Sequence, residues 1–471
     1  MVTGHTLLVD GGGGPHGDYQ DFLQGKASDR KGKRKEEKEV EYLKKAHPQE
    51  EGVTQSVRDA VSEILSAVEK EGITAVRRYS ERLDDWNPES FVVSEEEIRR
   101  AEESVDDELK GHIEFAQKQV ENFARLQRET LVDFERETLP GVILGQKQIP
   151  VNAVGSYTPS GLYPMFGSSI MTVAVAKVAG VKRVVAIAAP RRGEDGKPYG
   201  IYEPMLYTMA SCGADQILCV GGVQALAAVS FGMEEVEPVD MIVGAGNAYV
   251  AEAKRQLFGQ VGIDLLAGPT EIAIIADDTA DPHLLAADLL GQAEHGPTSP
   301  AVLITTSREV GEETIREVDR WLDGDWPTKD MAGEAWRNRG EVILCESDEE
   351  MVKVSDEVAT EHLEVQTKDP DWLLERLTNY GSLFLGEHST VAYSDKAIGT
   401  NHVLPTNRAA RYTGGLWVGK FIKTVTYQKV AEEGTEQVAP AAAAISDGEF
   451  MLGHALTCRI RQVRVQQRAG A

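Results

Sequence analysis

Gln292 and His295 stand three residues apart in Gly291-Gln292-Ala293-Glu294-His295-Gly296, at the end of a stretch that reads as a helix. Asp281 fits an N-cap and Pro282 the first helical position, with Leu284, Leu285, Leu289 and Leu290 following and Gly296 as the stop. Side chains at that spacing leave one face of a helix together. An imidazole nitrogen and an amide oxygen can share a borderline metal such as zinc, with a carboxylate or another histidine completing the shell. Thr360-Glu361-His362-Leu363 sets a carboxylate beside an imidazole, the commonest pair of general acid–base groups. Asp395 to Thr406 offers an acid, a glycine and then polar groups in a loop, and Glu449-Phe450-Met451-Leu452-Gly453-His454 adds a second carboxylate and histidine near the end. Each cluster alone also fits polar residues that satisfy one another in a core or lie on a surface. A zinc hydrolase would use the same ligands without a nucleotide, and a nucleotide-binding module would not need the ligands.

The elements that must position these groups alternate. Short apolar strands are expected at Arg183–Ala188, Gln216–Val220, Met241–Val243, Glu271–Ala276, Ala301–Thr305, Val342–Cys345 and Ser382–Leu385, separated by helical stretches. That alternation predicts an α/β fold with parallel sheets covered on both faces. Two Rossmann-like units, 150–270 and 271–400, fit the count. A helical region over 39–149 precedes them, with Gly72 as a stop and Ser94 with Glu97 as a capping box. An arm over 401–471 follows. The first 38 residues read as a solvated tail, with glycines at 11–14 and a basic run at 30–35. Neither G-x-G-x-x-G nor a Walker motif is present. Instead, Gly244-Ala245-Gly246-Asn247 joins a strand to a helix over Ala248–Leu257, and Val220-Gly221-Gly222-Val223-Gln224 repeats the design. Two such turns at neighbouring strand ends suit a dinucleotide crevice.

Composition narrows the class. The chain has 471 residues, 41% of them hydrophobic, enough for two or three domains with real cores. A formal charge of −27 argues against nucleic acid or anionic membrane as the main partner, and an acidic surface is a lever that halophilic organisms use. No long apolar run and no secretory start are present, so a cytoplasmic protein is expected. Cys212, Cys219, Cys345 and Cys458 match no zinc spacing and read as reduced thiols.

Taken in order, G-Q-A-E-H-G-P, E-H-L, G-T-N-H-V-L-P-T and the late E-x-x-x-x-H resemble the histidinol dehydrogenase family from about Glu39 to Val465. The resemblance implies one zinc per subunit, held by Gln292, His295, Asp395 and His454. It implies an acid–base pair in Glu361 and His362, and NAD contacts from Tyr157, Gln224 and Asn247. It also implies a homodimer in which the late histidine reaches the partner's zinc, and a primary alcohol oxidised through the aldehyde to the carboxylate with two NAD. Thr270 stands where the biosynthetic enzymes usually carry a substrate-touching serine. That residue, the 161–165 and 378–386 segments, and the basic stretch Arg408 to Lys423 look more like the sulfopropanediol 3-dehydrogenase branch. By that likeness the substrate is 2,3-dihydroxypropane-1-sulfonate, oxidised to sulfolactate, in contact with Thr270, Gln292, His295, His362, Asp395, Arg408, Glu449 and His454. A sulfonate wants cationic donors such as Arg408, Arg411, Lys420 and Lys423. Glu449 suits histidinol's ammonium group instead, or a supporting role behind the metal.

Overall fold

The computed structural model describes residues 40–47, 54–233 and 235–469, so the tail expected over residues 1–38 lies outside the described residues. Two mixed α/β layers hold the site. The first sheet has the order Gly262–Ile263, Met241–Val243, Ala153–Tyr157, Arg183–Ala188, Gln216–Cys219, with every pair parallel. In chain order this is 5-4-1-2-3, so the order reverses between Ala153–Tyr157 and Met241–Val243 and a crevice opens at their carboxyl ends. The second sheet repeats the plan. Strands Ile272–Ala276, Ala301–Thr305, Gly340–Leu344, His362–Gln366 and Ser382–Leu385 run parallel in the same order, and Glu41–Lys44 adds an antiparallel edge. Strands 153–157, 272–276, 301–305 and 362–366 are buried at every position, as parallel strands covered on both faces must be.

Helix starts follow the expected chemistry. Thr54, Ser94, Asp106 and Asp281 each cap a helix through a side-chain oxygen, and Ser94 with Glu97 completes a capping box. The helix from Pro282 stops at Ala293 rather than at Gly296, because Glu294 already serves as the C-cap. The 39–149 region is not wholly helical. Phe134–Leu139 and Val142–Pro150 are strands, paired antiparallel with Ile422–Val430 of the arm. Phe134–Leu139 is exposed throughout, so it has no apolar alternation to betray it. The stretch after Asn401 is partly core: Val403, Leu416, Val418 and Phe421 are buried in the cluster around the first sheet. Beyond it, helices Glu432–Gly448 and Leu452–Ala469 pack mainly on each other. Among the described residues, no helix is long and apolar enough to cross a membrane. All four cysteines are free, and burial pushes the thiols of Cys212, Cys219 and Cys345 up from their ordinary value.

Candidate active site

The amino ends of the second sheet and the carboxyl ends of the first face a common space. The segment after Tyr157 bridges them: Tyr163 Oη donates to the Glu294 carbonyl at 3.2 Å, and Ser168 Oγ lies 2.8 Å from His402 Nε2. His402 Nδ1 in turn donates to the Asp395 carbonyl at 2.9 Å.

Glu361 and His362 open their strand beside the start of strand Ile272–Ala276. Glu361 Oε2 accepts the Thr270 hydroxyl at 2.6 Å and the Glu271 backbone N–H at 3.0 Å, and lies 3.4 Å from His362 Nδ1. Gln292 Nε2 donates to Thr270 Oγ1 at 2.6 Å and lies 3.3 Å from His362 Nδ1. His362 Nδ1 donates to the Glu271 carbonyl at 3.0 Å, which fixes the tautomer and leaves Nε2 as the working nitrogen. That Nε2 sits 3.7 Å from Asp395 Oδ1, and Asp395 Oδ2 sits 4.0 Å from His295 Nε2. Thus Thr270, Gln292, His295, Glu361, His362 and Asp395 form one continuous cluster.

Its electrostatics are uneven. Burial alone disfavours a charged His362, yet Glu361 and Asp395 outweigh that and raise its pKa to about 10. Burial likewise resists ionisation of Asp395, but His362 overrides it and holds the carboxyl well below the usual range. His295 moves the other way, since burial lowers its pKa and Asp395 offsets only part of that. A neutral His295 is the form that ligates a metal.

Two buried atoms here lack any hydrogen-bond partner, His362 Nε2 and Asp395 Oδ1. Leaving such groups unpaired costs roughly 1–3 kcal/mol each, so they mark where something else belongs. The donor types of Gln292, His295 and Asp395 suit zinc, although among the described residues no three His, Cys, Asp or Glu side chains of one chain group closely enough to hold a metal by themselves.

His454 and Glu449 do not join the cluster within one chain. Both are exposed on the arm, and among the described residues neither side chain hydrogen-bonds or pairs with another group. The surface around them is apolar, with Phe450 88%, Leu452 67% and Leu456 55% exposed. Arg408 is exposed too, and no described residue pairs with its guanidinium. Its backbone is nonetheless constrained, with φ of 52° at Asn407 and 62° at Arg408, both left-handed. Asn407 N–H donates to Glu271 Oε1 at 2.8 Å, while Thr406 Oγ1 accepts from Gly268 N–H at 2.6 Å, tying this loop to the Thr270 segment. Lys420 donates to Thr413 Oγ1 at 2.9 Å from a 3-10 turn, and Lys423 is exposed on a strand.

The first sheet's crevice carries the other three residues. Tyr157 ends the central strand, and its hydroxyl accepts the Gly222 N–H at 3.2 Å. A side chain at Gly244 (φ 114°) would place its Cβ 2.0 Å from the Tyr157 carbonyl, so only glycine lets this turn cross the strand end. Asn247 caps the helix Ala248–Leu257, accepting from Tyr249 N–H at 3.0 Å and Val250 N–H at 3.2 Å. Gln224 is fully buried. Its Nε2 donates to Asp84 at 3.3 Å and its Oε1 has no partner, so a donor from outside the chain would complete it. The two glycine turns, the switch point and that open acceptor fit a dinucleotide.

Sequence reasoning missed Glu271, Asp288, Glu364 and Asp84. Asp288 lies one helical turn before Gln292 and Glu364 two strand positions after His362, so spacing alone placed both on the site's side. Asp84 comes from a distant helix and left no local signal.

Comparison with known proteins agrees with this geometry. The family described as "Histidinol dehydrogenase" matches residues 47–462. A "Histidinol dehydrogenase homolog" of Shouchella clausii is 52% identical, covering 87% of this chain and 95% of the relative. A "Sulfopropanediol 3-dehydrogenase" of Ruegeria pomeroyi is 47% identical, covering 90% and 96%. The crystal structure of histidinol dehydrogenase from Elizabethkingia anophelis superposes with a TM-score of 0.83 at 33% identity, covering 89% of this chain and 95% of that one. The chain belongs to the histidinol dehydrogenase family.

Proposed function

We propose that the protein is a zinc- and NAD-dependent dehydrogenase that oxidises a primary alcohol through the aldehyde to the carboxylate. The observation that carries this is the buried, unpartnered His362 Nε2 facing Asp395 Oδ1, with Glu361 alongside. Gln292, His295 and Asp395 hold the metal, and His454 of a second copy closes the shell. Tyr157, Gln224 and Asn247 line the nucleotide's crevice. When bound, zinc supplies Lewis acidity at the reacting oxygen and NAD a hydride acceptor.

The chain's own residues then divide the work. Asp395 helps keep His362 protonated in the site as it stands; with that carboxylate engaged by a metal, His362, anchored through Nδ1, would be free to take the alcohol proton on Nε2. Glu361 Oε2 is saturated by Thr270, Glu271 and His362, which leaves Oε1 as the oxygen that takes a proton from the water adding to the aldehyde. Burial of Glu361 and His362 keeps bulk water from competing.

Our reading of the substrate is 2,3-dihydroxypropane-1-sulfonate. Arg408 supports it: an unpaired guanidinium on a loop strapped by Asn407 to Glu271, a fork suited to sulfonate oxygens. The 47% identity to the sulfopropanediol enzyme, against 37–40% to three histidinol dehydrogenases, favours it as well. Histidinol is the second reading, because Glu449 sits near His454 on the arm and would meet an ammonium group. Purified protein assayed on both alcohols separates them. The sulfonate should be strongly preferred, and Arg408→Ala should lose about 1.5–3 kcal/mol of that preference, roughly ten- to a hundredfold in kcat/KM, with zinc retained. Efficient turnover of histidinol and none of the sulfonate would reverse the assignment.

A further inference from the structure

Behind the cluster lies a second set of buried acids that the chemistry above does not use. Glu364 is fully buried and Asp288 half-buried. Asp288 sits on the helix Pro282–Ala293, four residues before Gln292, and Glu364 on the strand His362–Gln366, two residues after His362. Both grip the start of a third element, the short helix Val391–Lys396 that carries Asp395. Glu364 Oε1 accepts the Val391 N–H at 3.0 Å, and Asp288 Oδ1 accepts the Thr390 hydroxyl at 2.9 Å. Gln366 Nε2 bridges the two acids, donating to Asp288 Oδ2 at 3.1 Å and to Glu364 Oε2 at 3.3 Å.

We infer that Asp288 and Glu364 are positioning residues for the metal site: two acids bridged by Gln366 that lock the Asp395 helix onto the Gln292 helix and the His362 strand. The inference rests on the reading of Asp395, Gln292 and His295 as ligands.

Geometry makes the lock specific. Gln292 lies on one helix, His295 just past its end and Asp395 on another; Asp288 ties the first helix to the start of the second through Thr390, and Glu364 ties the His362 strand to it through Val391. Asp395 is one turn beyond Val391, so a slip at the helix start carries straight to its carboxylate. Two carboxylates this close cannot both ionise cheaply. Burial, then Asp288, push Glu364 well above its ordinary value, which favours its protonated form beside Asp288. A glutamine at 364 mimics that form where it grips: its oxygen keeps the Val391 N–H and its amide faces Asp288, at the loss only of the 3.3 Å contact from Gln366. Alanine at either position removes the grip.

The test is zinc affinity by chelator competition on the full-length protein, with thermal melts as the fold control and Asp395→Ala as the metal-site control. Glu364→Ala and Asp288→Ala should each weaken zinc binding about ten- to a hundredfold, the range typical of groups that orient ligands. Glu364→Gln should stay within about threefold of the parent. Should Glu364→Ala fail to fold, the half-buried Asp288→Ala and the milder Thr390→Val, expected a few-fold weaker, report on the same grip. Parental affinity in Asp288→Ala, or Glu364→Gln as weak as Glu364→Ala, would overturn the inference. Parental affinity in Asp395→Ala would instead show that the ligand assignment beneath it is wrong.

Discussion

His362 is anchored by one nitrogen and open at the other, and Glu361 is saturated at one oxygen and open at the other. That asymmetry turns a common dipeptide into an acid–base pair, and it is set by Thr270, Glu271 and Gln292 rather than by the pair itself. Glu271 pays out its influence through its backbone, yet its side chain has a measurable signature. Burial raises its carboxyl to about 7, with the Asn407 N–H and the neighbouring Glu361 acting in opposite directions. The folded protein therefore keeps a proton that the unfolded chain releases from about pH 4.5 upward. Stability tied to Glu271 is lost as pH climbs from 4.5 to about 7 and is level above that. Glu271→Gln removes this titration while keeping an oxygen for Asn407. Melts from pH 4.5 to 8 should show the variant gaining on the parent by up to about 3 kcal/mol across that window. A constant gap would mean Glu271 does not titrate there.

Elements explain why some of this was legible and some was not. The apolar strands, the Asp281–Pro282 helix start and the Ser94–Glu97 capping box are local patterns, and the structure forms them where the residues ask for them. Phe134–Leu139 escaped because an exposed strand leaves no alternation, and the stretch after Asn401 escaped because its buried apolars follow no period. The order 5-4-1-2-3 could not be read from the chain, since pairing is non-local. It bears on the proposed function: the crevice proposed for the nucleotide lies at the carboxyl edge of the first sheet, whereas the groups proposed to react gather at the amino edge of the second. The motifs named Thr270, Glu361, His362, Gln292, His295 and Asp395 by resemblance, and folding brings those six together. Spacing alone could not show that the Thr406–Asn407 loop straps Gly268 and Glu271. The crevice yields its own test. Gly244→Ala forces a Cβ into the Tyr157 carbonyl and should weaken NAD binding at least tenfold, about 1.4 kcal/mol, by fluorescence titration. Unchanged affinity would place the nucleotide elsewhere.

At the scale of the whole molecule, the cluster is short of a ligand and the arm is short of a cover. Ile445, Phe450, Met451, Leu452, Leu456, Ile460 and Val463 are exposed around His454 on two helices that otherwise lean on each other. An apolar face of this kind marks an association surface, and the second copy proposed above would supply both needs at once. Mixed dimers of His454→Ala and His295→Ala subunits should recover zinc and turnover, because one of the two shared sites then has a full ligand set. No recovery in verified mixed dimers would confine the site to one chain.

If His362 and Glu361 divide a two-step oxidation between them, the NADH formed per alcohol consumed reports the division. Parent enzyme should yield two NADH for each alcohol and no free aldehyde. Glu361→Gln should yield close to one, with aldehyde accumulating and trapped by a carbonyl reagent. His362→Asn should slow the first hydride transfer about a hundred- to ten-thousandfold. One NADH per alcohol from the parent enzyme, or equal slowing of both steps by both substitutions, would contradict the account.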